Sequence, residues 1–331
     1  GGSGGGGVGG GDGSGERKKR KQRKKPEWKV PPWLGKSCWM NRGKKGAPGG
    51  GFYDHDSDAA QSDLKVAFNG GLGDVVSKAA RRAKAQEADP VFQVRGVLDW
   101  EYDLVSTVFD HYASLGCGSD LFSLGMNAYS QLITECELAI PTSKECRKEH
   151  LEQIFIAVDS SKASAQEAHN PRRSLTRNEF VQCLVRIAIA RYVAPGTIPE
   201  ISDALRELLH VQVRKRLPLE ALQYSNHFRQ RCCYIQQTAD VLAAHRDSLL
   251  ALYEHYAQAD ADVGDASSSA RLMGIGEWMM LLGDLSMLDA QFSQREATYA
   301  FMWSRMRTAD EADRRRLCNL TYVDFLEARA H

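Results

Sequence analysis

The sequence lacks any apolar run of about 18 residues, the shortest length usually read as a membrane-spanning helix. It also lacks the apolar core of a signal peptide near its glycine-rich start. The eight cysteines show neither the C-x-x-C spacing of a zinc site nor the density of a secreted disulfide scaffold. These absences predict a protein without a membrane span, in a reducing intracellular compartment.

The motifs of common catalytic sites are missing too. There is no H-E-x-x-H, no P-loop and no nucleophile elbow. The tract NGGLGD at 69–74 resembles the glycine-rich element of starch and glycogen synthases, but Phe68 stands where that element has a lysine. A glycine turn that opens a helix over about 74–88 is the simpler interpretation. We therefore predict no catalytic residue and no enzyme activity.

Large apolar residues are scarce in the first ninety positions, which instead hold most of the glycine. Such a composition buries too little surface to offset chain entropy, so residues 1–90 are predicted to form a disordered tail. This tail has 18 Lys or Arg against 10 Asp or Glu, whereas residues 91–331 have 25 against 32. A basic tail thus precedes an acidic body.

The tail contains one dense basic run, RKKRKQRKK. Its cations are candidates for binding a polyanion: Arg17, Lys18, Lys19, Arg20, Lys21, Arg23, Lys24 and Lys25. Mutual repulsion keeps the run extended unless a polyanion neutralises it. The candidate polyanions are nucleic acid, an anionic membrane face, an importin groove and the acidic surface of a filament such as a microtubule. A solvated tail without a partner is the alternative.

Three tryptophans follow the basic run. Trp28, Trp33 and Trp39 alternate with prolines and lysines in PEWKVPPWLGKSCWM. Indole rings are costly to leave in water, and the prolines prevent a continuous helix, so an extended anchor is predicted. The anchor either grips another protein or folds back on the body, and the sequence leaves both possibilities open.

From Val91 onward apolar residues recur at three- and four-residue steps, the spacing of one helix face. The body is therefore predicted to be all-α. Its helical phrases occur twice, at offsets of 144 to 149 residues: Phe109 pairs with Tyr253, Tyr112 with Tyr256, Leu124 with Met273, Tyr129 with Trp278, Leu175 with Leu320, and Phe180 with Phe325. Such a repeat predicts a duplicated four-helix unit, with domains at 91–216 and 217–331. His111 and His255 occupy equivalent positions and are interpreted as structural.

The ends of the loops in each copy carry a recurring pattern. In SLTRNEF, Leu175 is followed four residues later by Glu179 and then by Phe180; Met273 similarly precedes Glu277 and an aromatic. This pattern resembles a pair of EF-hands, in which an apolar residue at loop position 8 bridges two loops and a Glu at position 12 opens the next helix. The resemblance covers roughly 95–192 and 245–331, and it implies two calmodulin-like lobes in tandem.

The resemblance also implies candidate calcium ligands. These are Asp159 with Glu179 in one loop, and Asp260, Asp262, Asp265 and Glu277 in another. Both loops depart from the family pattern. In the first of them, Glu179 follows Asp159 by twenty residues where the family has eleven. Ala128 stands where the first loop would end in Glu, and Arg305 stands where the last loop would begin with Asp. Calcium is therefore a possible cofactor, but its binding is expected to be largely lost, with the carboxylates capping helices instead.

We accordingly predict a non-catalytic protein-binding scaffold. Lobes of the EF-hand family hold an amphipathic partner helix, and the Met-rich stretch from Met273 to Met287 fits a deformable groove. Degenerate EF-hand pairs with basic tails resemble structural proteins of cilia and flagella, which implies a partner helix or a tubulin filament surface, and a cytoskeletal or ciliary location. The alternatives are a calcium sensor and a nuclear protein that binds nucleic acid through its basic tail.

Overall fold

The computed structural model describes residues 31–39, 55–85, 88–115, 121–160, 173–257, 272–305 and 318–330. The described chain is mostly helical, in agreement with the all-α prediction. None of the described helices is long and apolar enough to span a bilayer. Most of the buried apolar side chains of the described residues belong to one cluster that runs from Leu34 to Ala328, and Ala60 and Tyr102 form a separate pair.

The first half of the described chain begins with a 3-10 turn at Leu34–Lys36 and continues through nine helices and two short strands. In chain order these are α1 (His55–Ala67), α2 (Gly73–Ala83), α3 (Pro90–Trp100), α4 (Tyr102–Ala113), β1 (Leu124–Gly125), α5 (Met126–Glu135), α6 (Lys148–Asp159), β2 (Ser174–Leu175), α7 (Arg177–Ala188), α8 (Ile201–Glu207) and α9 (Arg214–Arg216). Short π-helical segments join α1 to α2, extend α7, and join α8 to α9.

The second half has the same alternation of helices and two-residue strands. After a 3-10 turn at Leu219–Leu222 come α10 (Ser225–Phe228), α11 (Gln236–Ala244), α12 (Arg246–Tyr256), β3 (Met273–Gly274), α13 (Ile275–Asp284), α14 (Gln294–Ser304), β4 (Asn319–Leu320) and α15 (Tyr322–Ala330). The helical stretch predicted from Leu219 to Tyr256 is interrupted, because Tyr234 and Ile235 leave the helical conformation.

Two antiparallel strand pairs hold the halves of each repeat together. Leu124 lies opposite Leu175 in β1–β2, and Met273 lies opposite Leu320 in β3–β4. These four residues are the ones that the sequence alignment pairs across the two copies. All four are fully buried, so each strand pair is also part of the core.

The structural repeat is one helix longer than the sequence alignment indicated. Helix α3 meets α4 at a kink at Glu101, with φ −94° and ψ 11°. Helix α11 meets α12 at a kink at His245, with φ −106° and ψ 15°, and His245 follows Glu101 by 144 residues. We therefore call residues 90–193 the first repeat and residues 234–330 the second repeat.

Part of the stretch predicted to be a disordered tail is folded onto the body. Residues 1–30, 40–54 and 86–87 of that stretch lie outside the described residues, but α1 and α2 are helices, and α1 packs on α7. Gly71, with φ 100°, makes the turn between them, in agreement with the interpretation of NGGLGD. A few buried residues, among them Leu64 and Val76, are enough to hold α1 and α2 on the body, because these two helices pack on helices that lie later in the chain.

A buried ion pair ties the last helix of each repeat to a segment that precedes the repeat. In the first repeat, Arg177 of α7 pairs with Asp63 of α1, and Tyr102 donates a hydrogen bond to the same carboxylate. In the second repeat the polarity is reversed, since Arg229 of the preceding segment pairs with Glu327 of α15. Both pairs are almost completely shielded from solvent.

The two repeats also contact each other. The guanidinium carbon of Arg305 lies 3.5 Å from the centre of the Phe122 ring, and burial lowers the pKa of Arg305 to about 9. The turn at Leu219–Leu222 packs on α4, across the boundary predicted at residue 216. The division into two domains stays a prediction.

Candidate protein-docking face

The carboxylate predicted to complete an ion site in the first repeat caps a helix. Glu179 is buried, and its Oε2 accepts hydrogen bonds from the backbone N–H of Thr176 at 2.9 Å and from the Thr176 hydroxyl at 3.0 Å. Asp159 ends α6, and residues 161–172 between the two acids are outside the described ranges. The structure thus gives Glu179 a role at the N-terminus of α7, where a negative charge is stabilised.

The second repeat uses its acids in the same way. The Glu277 carboxylate accepts a hydrogen bond from the backbone N–H of Gly274 at the start of α13, and that of Asp324 accepts one from Thr321 at 2.8 Å. Asp260, Asp262 and Asp265 fall in a part of the chain that the structure does not describe. Among the described residues, no group of three or more His, Cys, Asp or Glu is arranged to hold a metal ion.

The tryptophan anchor folds back on the body at its described end. Trp39 is fully buried, and its ring meets the edge of Tyr234 with the centroids 5.3 Å apart. Trp33 is half-buried against the same core. Trp28 and the basic run from Arg17 to Lys25 are outside the described residues. Of the two possibilities that the sequence left open, the structure shows folding back for Trp39.

The two equivalent histidines have different surroundings. His111 is 2% exposed, and its Nδ1 shares a hydrogen bond with the hydroxyl of Tyr299 from the second repeat. Burial, and then the charge of Arg295, lower the pKa of His111 to about 4. His255 is exposed on α12. His111 therefore joins the repeats as a neutral side chain, as expected for a structural histidine.

The equivalent helices α4 and α12 differ strongly in how many of their residues are buried. Ten of the twelve residues of α4 are buried. Tyr253 is the one buried residue of α12, a helix that the structure describes in full. The local fold is the same in both places, so the difference comes from what lies on top of each helix.

The same contrast appears in the preceding helices. Val97 of α3 is 3% exposed, whereas Val241, its counterpart in α11, is 59% exposed. Helix α8 packs on α3. The segment that continues from α8 contains His210 and Arg214. Both reach the kink: Nε2 of His210 is 3.1 Å from one Glu101 oxygen, and the Arg214 guanidinium donates to the other at 2.8 Å.

The turn after the second helix of each repeat is a third point of difference. Glu137 and Ser286 both adopt a positive φ, of 46° and 53°, so the two turns share one backbone shape. Leu138 is fully buried, whereas its counterpart Met287 is 38% exposed. The preceding residues differ likewise, because Cys136 is buried and Leu285 is 42% exposed.

One segment covers these positions in the first repeat. Arg191 donates hydrogen bonds to the carbonyls of Glu137 at 2.9 Å and Leu138 at 2.7 Å. Arg216 pairs with the Glu137 carboxylate at 2.8 Å. Residues 189–216 therefore lie over both α3 and the 136–138 turn.

We call Val241, Leu285 and Met287 the open face of the second repeat. They are the counterparts of residues that the 189–216 segment covers in the first repeat. The Met-rich stretch predicted as a groove is divided: Met273 is buried in β3, while Met280 of α13 is 55% exposed. The sequence reasoning missed Val241, which an alignment extended one helix upstream would have paired with Val97.

No family model, curated protein or solved structure matches the chain. The arrangement of the two repeats is therefore interpreted from its own contacts.

Proposed function

We propose that the protein is a non-catalytic scaffold that binds other proteins through two degenerate EF-hand pairs. The observation that carries the proposal is the open face, an apolar surface whose counterpart in the same fold is filled by a helix. Large contiguous apolar patches exposed to water mark interaction sites, and we propose that the open face is part of such a patch. The two-residue strand pairs at Leu124–Leu175 and Met273–Leu320 support the EF-hand interpretation.

We also propose that calcium binding has been largely lost. The support comes from Glu179, Glu277 and Asp324, whose oxygens already accept hydrogen bonds from the first turns of their helices. Isothermal titration of the full chain with millimolar calcium is expected to give no binding heat and no change in tryptophan fluorescence. A binding heat that disappears in the Glu277→Gln variant would establish the calcium-sensor alternative instead.

The proposed partner class is a cytoskeletal or ciliary filament, with the basic run from Arg17 to Lys25 on its acidic surface. The support is the charge distribution, since these eight cations precede a body with excess acid. The test is co-sedimentation of the full chain with polymerised tubulin. We expect pelleting that weakens with salt, because exposed charges are screened at a Debye length of about 10 Å in 0.1 M salt.

Two variants separate the contributions of the tail and the body to pelleting. Replacing the eight cations by glutamine is expected to reduce pelleting strongly, and Val241→Asp with Met287→Asp is expected to reduce it further. Absence of pelleting by the unmodified chain would reject the filament assignment. Retention of duplex DNA by the unmodified chain, lost in the glutamine variant, would favour the nuclear alternative.

A further inference from the structure

The segment that fills the first repeat shows what kind of helix the open face accepts. Residues 201–216 bury side chains at three- and four-residue steps, among them Ile201, Leu205, Leu208, Leu209 and Val213. At about 1.5 Å per residue the segment is about 24 Å long. The segment ends in three cations, at residues 214–216, and two of its side chains pair with Glu101 at the kink.

The charge at the kink is inverted in the second repeat. Glu101 is buried with both oxygens paired, to His210 and to Arg214. Its counterpart His245 is exposed, and the next residue, Arg246, is exposed as well. At the kink position itself, a helix that covers the second repeat therefore meets His245 and Arg246, where the extension of α8 meets a carboxylate in the first repeat.

We infer that the open face is filled by an amphipathic helix of another protein that places an acidic side chain against His245. The inference rests on the proposed function and adds the chemistry of the partner. Apolar side chains of the helix cover Val241, Leu285 and Met287. Its acidic side chain pairs with His245, just as the Glu101 carboxylate pairs with His210 and Arg214 in the first repeat, but with the charges exchanged between the two partners. Because Asp240 and Asp247 are also exposed on the α11–α12 hairpin, the acid is required at the kink position and not along the whole helix.

A second copy of this chain does not meet the requirement. Its own 201–216 segment is already packed on α3, and docking it in the same orientation would bring His210 and Arg214 onto His245 and Arg246. Like charges held together in this way oppose association. The occupant is therefore not the 201–216 segment of a second copy, and it carries the opposite charge at this point.

The test uses the full chain and two synthetic peptides. One peptide has the sequence of residues 199–217, and the other has the same sequence with His210→Glu and Arg214→Glu, so the apolar positions are identical. Fluorescence anisotropy is expected to show that the acidic peptide binds at least about tenfold more tightly than the unmodified one. In the His245→Glu chain the preference should reverse.

Three further variants locate the peptide site. Val241→Asp and Leu285→Asp, each checked for an unchanged thermal midpoint, should weaken the acidic peptide by about tenfold or more. Ile156→Asp, at an apolar residue of the first repeat that is 56% exposed, is the matched control and should have no effect.

The outcomes separate this inference from the scaffold proposal. Equal binding of the two peptides, or a preference unchanged by His245→Glu, overturns the acidic partner while leaving helix docking in place. Failure of both peptides to bind overturns the inference, whereas loss of the scaffold proposal requires in addition that the unmodified chain fails to pellet with filaments.

Discussion

The first repeat is a filled version of a fold that the second repeat leaves open. Val97 and Val241 are the same residue type in equivalent helices, yet their exposures are 3% and 59%. The kinks, the strand pairs and the turns are alike, so local structure does not explain the contrast. It is explained by α1, α2 and the 189–216 segment, which all pack on the first repeat. The comparison shows that duplicated units can differ in exposure through what packs on them.

The largest expected effect tests a feature that the two repeats share. Arg177→Ala leaves Asp63 buried without its partner, and Arg229→Ala does the same to Glu327, so each should lower the free energy of unfolding by about 3 to 5 kcal/mol. Guanidinium denaturation of the full chain measures both. A much smaller loss for Arg229→Ala would mean that the second repeat is loosely held throughout and not only at its surface.

The turns provide the next comparison. Leu138→Ala removes fully buried methyl groups and should cost about 2 to 5 kcal/mol of stability. Met287→Ala, at the equivalent exposed position, should cost less than about 1 kcal/mol. Denaturation midpoints of the two variants check this difference. Equal losses would contradict the assignment of Met287 to an open face.

The histidines predict a difference in pH dependence. Burial holds the pKa of His111 at about 4, below its ordinary value of 6.5. The unfolded chain therefore takes up a proton first, and the stability contributed by neutral His111 is present above pH 6.5 and lost as the pH falls toward 4. We expect a loss of roughly 2 kcal/mol over this range.

Thermal unfolding between pH 7 and pH 4 checks the prediction. His111→Gln should flatten part of the profile, whereas His255→Gln, on the exposed helix of the second repeat, should leave it unchanged. The opposite assignment of the two variants would show that the pH dependence does not come from the contact between the repeats.

The smallest expected effect concerns two equivalent tyrosines. Tyr112 donates a hydrogen bond to Glu135, and Tyr256 donates one to Asp284 at 2.7 Å. Tyr112 is buried, so Tyr112→Phe removes a partly shielded hydrogen bond to a carboxylate and should cost about 1 to 1.5 kcal/mol. Tyr256→Phe, in the exposed pair, should cost less than about 0.5 kcal/mol, because water replaces the bond. Comparable costs measured by denaturation would argue against a solvent-facing second repeat.

Much of the fold was predictable because its causes are local. The three- and four-residue spacing of apolar side chains from Val91 onward predicted a helical body, and the described chain is mostly helical. The break at Tyr234 was missed, because that residue leaves the helix to contact Trp39 and Glu327, which are distant in the chain. The packing of α1 was missed for the same reason, since α1 packs on α7, which is distant in the chain.

The candidate site was less predictable than the fold. The interpretation of Glu179 as a helix cap agrees with the hydrogen bonds of α7, because a cap is formed by residues three positions apart. The open face could not be predicted from the sequence, because Leu285 and Met287 are apolar residues of the types that usually lie in a core. Only the position of another segment determines whether such residues are covered.

The amino-acid sequence settled the helices, their caps and the existence of two related copies, since these depend on neighbours within a few residues. The spatial arrangement settled which copy is filled. Burial depends on contacts between residues far apart in the chain, and the two copies have nearly the same local pattern at Val97 and Val241. Helices α1, α2 and α8 pack on α3, which carries the first of these valines, whereas the second valine is 59% exposed.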